Sequence, residues 1–232
     1  MQLFHKDTIQ ISPSLICLDV LHVLEQVNEL EKAGIKMLHI DILDGRFSPS
    51  MPLGFDLVRQ LRSVTNLAFE CHVMAENPEY YIQELLDIGV EQIVFHLETA
   101  AHADGLINKI HHMGVRAGIA LKPSTPISSL EYIIEKCDAV LLMLINPGYA
   151  SSSHEAQVPY AKRKIADLKK LIDGLHTETL IEVDGRISLS NVKEFAPLGV
   201  NIFVGGTTCI DRNHIADSIN QANHVLPCIT AQ

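Results

Sequence analysis

Two histidines and two aspartates have the spacing of a metal site. His39 and Asp41 are two residues apart in the β-rich run KMLHIDI, so both side chains point to the same face of a strand. His72 lies near the end of a second such run, AFECHVM, and Asp184 ends a third, TLIEVD. Imidazole and carboxylate groups are ligands that divalent transition metals prefer. Each residue alone is better explained as a buried histidine or a loop-capping aspartate, but the four together favour a metal site.

A second group of residues is rich in glycine and follows the last two strand-like runs. It comprises Gly185, Gly205, Gly206 and Thr207. Backbone N–H groups in such loops, with the N-terminus of a short helix, commonly bind phosphate. The group therefore predicts a phosphate site, and tight turns are the alternative interpretation.

Eight short β-rich segments could position these residues. Several have almost wholly apolar middles, as expected of strands that are buried on both faces. The segments begin near Ile9, Lys36, Ala68, Glu91, Val115, Asp138, Thr179 and Val200. Their alternation with helical segments, without a linker, predicts an α/β fold: a single-domain (β/α)8 TIM barrel over residues 1–232. An open doubly wound sheet is the alternative, and the lack of a GxGxxG motif after the first segment weakens it.

Amphipathic helices are predicted between the strands. The first, over residues 19–33, has an apolar stripe of Leu21, Leu24, Val27, Leu30 and Ala33, and Gly34 ends it. Pro78 and Gly89 mark the beginning and end of another helix. Further helices are predicted at 104–114, 128–136, 156–175, 190–195 and 213–225. In this fold the C-terminal strand ends carry the catalytic side chains, so the two groups above are expected at one mouth of the barrel.

Composition excludes several classes of protein. The chain has 232 residues, of which 47% are hydrophobic and 20% charged, so it is not disordered. Its net charge of −10 argues against binding to nucleic acid, which requires a basic surface.

The cysteines and the N-terminal segment bear on the compartment. Five widely spaced cysteines with no CxxC motif predict reduced thiols in the core: Cys17, Cys71, Cys137, Cys209 and Cys228. No signal peptide and no apolar run of membrane-spanning length is visible. We therefore expect a soluble, cytoplasmic protein with no membrane partner.

The motifs together resemble the ribulose-phosphate 3-epimerase family, including its allulose-6-phosphate 3-epimerase relatives. The similar segments occur in the family's order and span nearly the whole chain. They are ISPSL (11–15), LHIDILDGRFSPS (38–50), ECHVM (70–74), FHLE (95–98), AGIALKPSTP (117–126), LLMLINPGY (141–149), IEVDG (181–185) and FVGGT (203–207).

The resemblance implies a role for each matching residue. His39, Asp41, His72 and Asp184 would ligate one divalent metal ion, which could be Zn, Mn, Fe or Co. Asp41 and Asp184 would also be the acid–base pair of a ketose-phosphate 3-epimerase, which transfers the proton through a metal-stabilised enediolate without an organic cofactor. The residues implied to bind or line the substrate are Ser14, His72, Met74, Met143, Gly148, Tyr149, Gly185, Arg186, Gly206 and Thr207. A homo-oligomer is implied as well.

The chain departs from the family pattern at four places. The family motif PGFGG is replaced by PGYAS at residues 147–151. The family motif DGG is replaced by DGR at residues 184–186, and Arg186 is a candidate phosphate clamp. Leu43 replaces a pocket methionine, and FVPN becomes residues 47–50, FSPS. None of these changes removes a metal ligand or an acid–base carboxylate. We therefore predict that catalysis is retained and that the preferred sugar has changed.

Three further interpretations remain open at this point. A catalytically weak relative that binds a sugar phosphate as a sensor is the alternative function, motivated by the altered loops. Lys122, at the end of the fifth strand segment, would suit a Schiff-base aldolase, but its epimerase-like surroundings argue against that activity. His96 and Glu98 are either structural or orient a metal ligand.

Overall fold

Eight strands of the described chain form one parallel sheet that closes almost completely into a barrel. The computed structural model describes residues 3–150 and 152–226, so predictions that involve Ser151 and Cys228 lie outside it. The strands are β1 (Gln10–Pro13), β2 (Met37–Leu43), β3 (Ala68–Met74), β4 (Gln92–His96), β5 (Arg116–Leu121), β6 (Ala139–Met143), β7 (Leu180–Asp184) and β8 (Ile202–Gly205). Their order in the sheet is β1-β8-β7-β6-β5-β4-β3-β2, and β1 meets β2 through a single parallel bridge between Ser14 and His39.

The predicted barrel is therefore confirmed, and every strand begins within two residues of its predicted start. The described residues contain seven α-helices on the outside of the sheet. They are α1 (Val23–Lys32), α2 (Phe55–Arg62), α3 (Pro78–Ile88), α4 (Ala103–His112), α5 (Ala161–Leu175), α6 (Leu189–Phe195) and α7 (Ile215–Val225). Helix α2 was not predicted.

The helix predicted over residues 128–136 is wrong. Two 3-10 turns, Ile127–Leu130 and Ile134–Lys136, occupy this segment. The Ser129 hydroxyl donates a hydrogen bond to the carbonyl of Pro126 at 2.7 Å. Such local side-chain bonds compete with the helical backbone pattern, so the connection between β5 and β6 lacks a regular helix.

Helix α1 is shorter than predicted. The Asp19 carboxylate accepts a hydrogen bond from the backbone N–H of Leu21 at 3.0 Å, which holds this segment in a turn. Leu21 lies in this turn and is 83% exposed, and Leu24 in the first turn of α1 is 44% exposed, so the predicted apolar stripe is wrong at both positions. Gly34 has φ +97°, a left-handed conformation that glycine adopts without strain, and it ends the helix as predicted.

The barrel interior changes from apolar to polar along the strands. Because strand side chains alternate, every second residue faces inwards. The N-terminal end is filled by an apolar cluster of Met37, Ala68, Ala139, Leu180 and Ile202. The inward-facing residues two positions after Met37, Ala68 and Leu180 are buried and polar. They are His39, Glu70 and Glu182. Two residues further again lie Asp41, His72 and Asp184, at the C-terminal mouth.

The main apolar core lies between the sheet and the surrounding helices. Buried outward-facing strand residues such as Ile40, Val73 and Val183 pack there against helix residues such as Leu30 and Ile165. The four described cysteines are buried and free, as predicted. Within residues 3–150 and 152–226, no helix is long and apolar enough to cross a membrane.

Candidate active site

The strands bring the four predicted metal ligands to one point at the mouth of the barrel. In the parallel register of β2 and β3, Asp41 lies opposite His72. His39 precedes Asp41 on the same face, and Asp184 is the last residue of β7. One nitrogen or oxygen atom from each of the four lies within 4.8 Å of the others. His39 and His72 are fully buried, Asp41 is 3% exposed and Asp184 is half-buried, so most of the site lies below the surface.

His39 is held between two carboxylates. Its Nδ1 lies 2.7 Å from Glu70 Oε2 and its Nε2 lies 3.1 Å from Asp41 Oδ1. Burial opposes the positive charge, but the carboxylates of Glu70 and Asp41 together raise the pKa of His39 well above its usual range. Because Glu70 fixes Nδ1, the Nε2 atom is the one directed at the centre of the site.

His72 is linked to a second histidine and a third carboxylate. Its Nε2 lies 3.0 Å from His96 Nε2, and His96 Nδ1 lies 3.0 Å from Glu98 Oε2. Burial lowers the pKa of His96 to about 4, and Glu98 offsets this only in part, so His96 is neutral near pH 7. Burial also disfavours charge on Glu98, but hydrogen bonds from His96, Thr125 and the backbone of Lys122 bring its pKa down to about 2.

The two candidate acid–base groups have opposite proton affinities. Burial alone would raise the pKa of Asp41, but His39 and His72 hold it far below its usual range. Burial and the charge of Asp41 raise the pKa of Asp184 to about 6. Two neighbouring carboxyl groups whose pKa values are separated in this way suit a pair in which one is the base and the other the acid.

A divalent metal fits these residues. His72 Nδ1 is buried, lies 3.3 Å from Asp41 Oδ1, and has no hydrogen-bond partner among the described residues. A cation held by both groups would satisfy this buried imidazole nitrogen. Two nitrogen and two oxygen donors are a set that Zn, Mn, Fe or Co accepts.

A cavity of about 410 Å³ opens above the four residues. It is lined by Asp41 and Asp184 and by eight of the ten residues predicted to bind substrate: Ser14, Met74, Met143, Gly148, Gly185, Arg186, Gly206 and Thr207. The ninth, His72, lies beneath the cavity among the metal-ligand candidates. The tenth, Tyr149, does not line the cavity and is 40% exposed. Leu43, the residue that replaces the family's methionine, also lines the cavity.

Close backbone packing explains two of the glycines at the cavity. Gly148 has φ +80°, and a Cβ there would lie 1.8 Å from the Ser48 hydroxyl oxygen. Gly185 has φ +118°, and a Cβ there would lie 2.8 Å from the backbone nitrogen of Ile145. Both positions therefore require glycine if the loops after β2, β6 and β7 are to meet over the site.

Arg186 joins the loop after β7 to the loop after β6. Its guanidinium donates hydrogen bonds to the carbonyls of Ala150, at 3.2 Å, and Ser152. Arg186 also lines the cavity, and its Nε is buried with no hydrogen-bond partner in the described chain. The side chain thus has a structural contact that the sequence did not indicate.

Three buried charged groups near the site were not predicted. Glu70 and Glu182 are fully buried below the metal-ligand candidates, and Gln92 donates to Glu182 at 2.6 Å. Burial and the charge of Glu70 raise the pKa of Glu182 well above its usual range. Lys164 of α5 is 5% exposed and donates to the carbonyls of Lys122 and Pro123 at 2.6 and 2.9 Å. The two-residue spacing of Glu70 from His72 and of Glu182 from Asp184 was a signal that could have revealed both glutamates.

Lys122 does not line the cavity. Its ammonium lies 4.0 Å from the centre of the Phe47 ring, and that ring packs 4.6 Å from the ring of His96. A Schiff-base lysine must reach the substrate carbonyl, so this position gives the aldolase alternative no support.

The fold and the site define a (β/α)8 barrel with paired carboxylates and a candidate metal-binding group at the strand ends. The sequence profile of the ribulose-phosphate 3 epimerase family matches residues 10–210. The chain belongs to this family and is a sugar-phosphate epimerase.

Similar proteins include enzymes from distant organisms. The chain is 34% identical over 219 residues to the chloroplastic ribulose-5-phosphate-3-epimerase of Arabidopsis thaliana, covering 93% of this chain and 76% of that one. It is 32% identical to the ribulose-phosphate 3-epimerase of Bacillus subtilis, covering 92% of this chain and 97% of that one. A tryptophan synthase A-subunit from Pyrococcus furiosus superposes with a TM-score of 0.67 at 14% identity, covering 99% of this chain and 100% of that one, and shares the fold alone.

Proposed function

We propose that the substrate is a ketose phosphate of the ribulose 5-phosphate or allulose 6-phosphate type, and that Asp41 and Asp184 exchange the proton at its C3. The observation that carries the proposal is the convergence of these two carboxyl groups at the cavity floor, one with a lowered and the other with a raised pKa. They come from different strands, β2 and β7, so they approach a bound sugar from different sides.

Inversion at a carbon next to a ketone requires removal of a proton from one face and its return to the other. A carboxylate is a weak base, so the negative charge that develops on the sugar oxygens must be stabilised. We propose that His39, Asp41, His72 and Asp184 hold one divalent ion, Zn, Mn, Fe or Co. When bound, that ion supplies Lewis-acid stabilisation of this charge.

The residues of the chain supply the remaining functions. The Ser14 hydroxyl donates to Asp41 Oδ2 at 2.8 Å, which fixes the carboxylate and favours its ionised form. Met74 and Met143 form part of the apolar cavity wall and exclude water. Proton transfer between two carboxyl groups requires no organic cofactor.

The phosphate end of the substrate is proposed to lie at the loops after β7 and β8. Gly185, Arg186, Gly206 and Thr207 line the same cavity as the two aspartates. The net charge of −10 repels a phosphate dianion at long range, so local donors are needed. Backbone N–H groups of the glycines and the guanidinium of Arg186 are the donors that this surface offers.

Deuterium incorporation tests the proposal. The protein loaded with Zn²⁺, Mn²⁺ or Fe²⁺ is incubated in D2O with a panel of ketose phosphates, and deuterium at C3 is measured by mass spectrometry or NMR. We expect incorporation and epimerisation with at least one phosphorylated ketose and far less with its unphosphorylated form. Binding without incorporation into any sugar of the panel would instead indicate the sensor function.

A further inference from the structure

A line of hydrogen bonds runs from the loop after β4 to the candidate metal site. Glu98 stands at its outer end, His96 in the middle and His72 at the inner end, with nitrogen–oxygen and nitrogen–nitrogen distances of 3.0 Å. His96 and His72 are both fully buried. Phe47 covers the His96 ring with a centroid distance of 4.6 Å, so water has little access to the line.

The direction of these hydrogen bonds follows from Glu98. Its Oε1 accepts the backbone N–H of Lys122 at 2.7 Å and the hydroxyl of Thr125. An ionised carboxylate has no proton to donate, so the contact between Glu98 Oε2 and His96 Nδ1 requires that the proton is on the nitrogen. Glu98 therefore selects the tautomer of His96 that carries its proton on Nδ1.

The tautomer of His96 then determines that of His72. Full burial of the His96 ring disfavours its charged form. A neutral imidazole has one N–H, so His96 Nε2 carries no proton and can only accept. His72 Nε2, at 3.0 Å, must be the donor. His72 Nδ1 is then left with a lone pair, and it is the nitrogen that faces Asp41 Oδ1 at 3.3 Å. A metal-binding imidazole must present such a lone pair.

We infer that Glu98 and His96 are positioning residues that set the tautomer and the ring orientation of His72, so that Nδ1 is its metal-binding atom. This inference rests on the metal proposed above. His39 is set differently, since Glu70 contacts its Nδ1 directly at 2.7 Å and leaves Nε2 for the metal. The two histidines would thus bind the metal through different nitrogens. His39 contacts the carboxylate of Glu70 directly, whereas His72 is linked to the carboxylate of Glu98 through the imidazole of His96.

The variant Glu98→Gln tests this inference with little change of shape. The donors Lys122 N–H and Thr125 hydroxyl both need an acceptor, so they hold the amide oxygen of the glutamine on their side. The amide NH2 then faces His96 Nδ1 and donates to it. This reverses both tautomers and places a proton on His72 Nδ1, where the metal should bind.

Asp138→Asn is the matched control. Asp138 Oδ2 also contacts a histidine, His111 Nε2, at 2.8 Å and accepts the backbone N–H of Ala117 at 2.8 Å. It lies at the N-terminal end of the strands, away from the candidate site. Both variants therefore exchange a carboxylate beside a histidine for an amide, but only Glu98→Gln is connected to His72.

Two measurements decide the outcome. Titration with Zn²⁺ should show an affinity roughly 10–100-fold weaker in Glu98→Gln and unchanged in Asp138→Asn. Long-range proton–nitrogen NMR spectra of the Zn²⁺-loaded wild-type protein should show the His96 proton on Nδ1 and the His72 proton on Nε2. In Glu98→Gln the His96 proton should move to Nε2.

Several results would overturn the inference. One is an NMR spectrum in which wild-type His96 carries its proton on Nε2. Another is a titration in which Glu98→Gln binds Zn²⁺ as tightly as the wild type. If Glu98→Gln does not fold, the wild-type spectrum decides alone. A wild-type protein that binds no Zn²⁺ would overturn the proposed metal site together with this inference, whereas Zn²⁺ binding with an unchanged Glu98→Gln would overturn this inference alone.

Discussion

The Ser14 hydroxyl donates a 2.8 Å hydrogen bond to Asp41 Oδ2 at the seam where β1 and β2 close the barrel. Ser14 is 3% exposed, so no water replaces this bond easily. Closure of the barrel and orientation of a proposed catalytic carboxylate therefore depend on the same pair of residues.

Ser14→Ala should lower both stability and turnover. Loss of a hydrogen bond to a buried charged group costs about 1.5–3 kcal/mol of the free energy of unfolding, measured by urea titration. Turnover should fall more than KM rises, since Asp41 loses its fixed orientation. Ser12→Ala is the control, because the buried Ser12 hydroxyl has no partner among the described residues. Equal effects of the two substitutions would refute this role for Ser14.

Asp184→Asn should separate proton exchange from epimerisation. With Asp41 as the remaining base, a proton can leave and return on one face only. We expect epimerisation to fall by about 10²–10⁴-fold, while deuterium exchange from D2O persists for one of the two epimers. Metal content is measured alongside, since Asp184 is also a proposed ligand. Retention of epimerisation by a metal-loaded Asp184→Asn would exclude the two-carboxylate mechanism.

Arg186→Ala should raise KM for the phosphorylated sugar. The substitution removes the guanidinium from the cavity wall together with its contacts with the carbonyls of Ala150 and Ser152. Loss of hydrogen bonds to a charged ligand of about 1.5–3 kcal/mol corresponds to at least a tenfold increase in KM. Arg163→Ala, on the exposed part of α5, is the control. An unchanged KM would assign Arg186 to loop packing alone.

Lys164 should make stability depend on pH in the alkaline range. Burial lowers its pKa in the folded protein to about 8, from an ordinary value of 10.5. Between these values the unfolded chain binds more protons than the folded one, so the free energy of unfolding rises with pH through this lysine. The difference in unfolding free energy between wild type and Lys164→Met should therefore shift in favour of the wild type from pH 8 to 10.5. A constant difference over this range would contradict the lowered pKa.

Removal of metal should destabilise the protein and stop turnover. At a free metal concentration of 100 times Kd, binding contributes about 2.7 kcal/mol to the free energy of unfolding. Treatment with a chelator should lower Tm, and Zn²⁺, Mn²⁺, Fe²⁺ or Co²⁺ should restore it. His72→Gln should abolish this response, whereas His111→Gln, at the other end of the barrel, should retain it. A chelator-treated protein with unchanged Tm and turnover would rule out the metal.

The fold was largely predictable because strands and helices have different apolar periods. The β-rich runs around His39 and Asp184 were placed within two residues of the observed strands. Errors arose where local hydrogen bonds override periodicity. Asp19 holds the chain in a turn before α1, and Ser129 accompanies 3-10 turns in place of a helix.

The residue types of the site and their strand positions were determined by the sequence alone. A spacing of two places His39 and Asp41 on one face, and parallel strands bring their ends to one mouth. Only the tertiary structure decided the contacts: Glu98 reaching His72 through His96, Ser14 bonding Asp41 across the barrel seam, and Arg186 holding the loop after β6. The physical reason is that these contacts join residues far apart in the chain. Their geometry depends on strand register and loop packing, which no local pattern encodes.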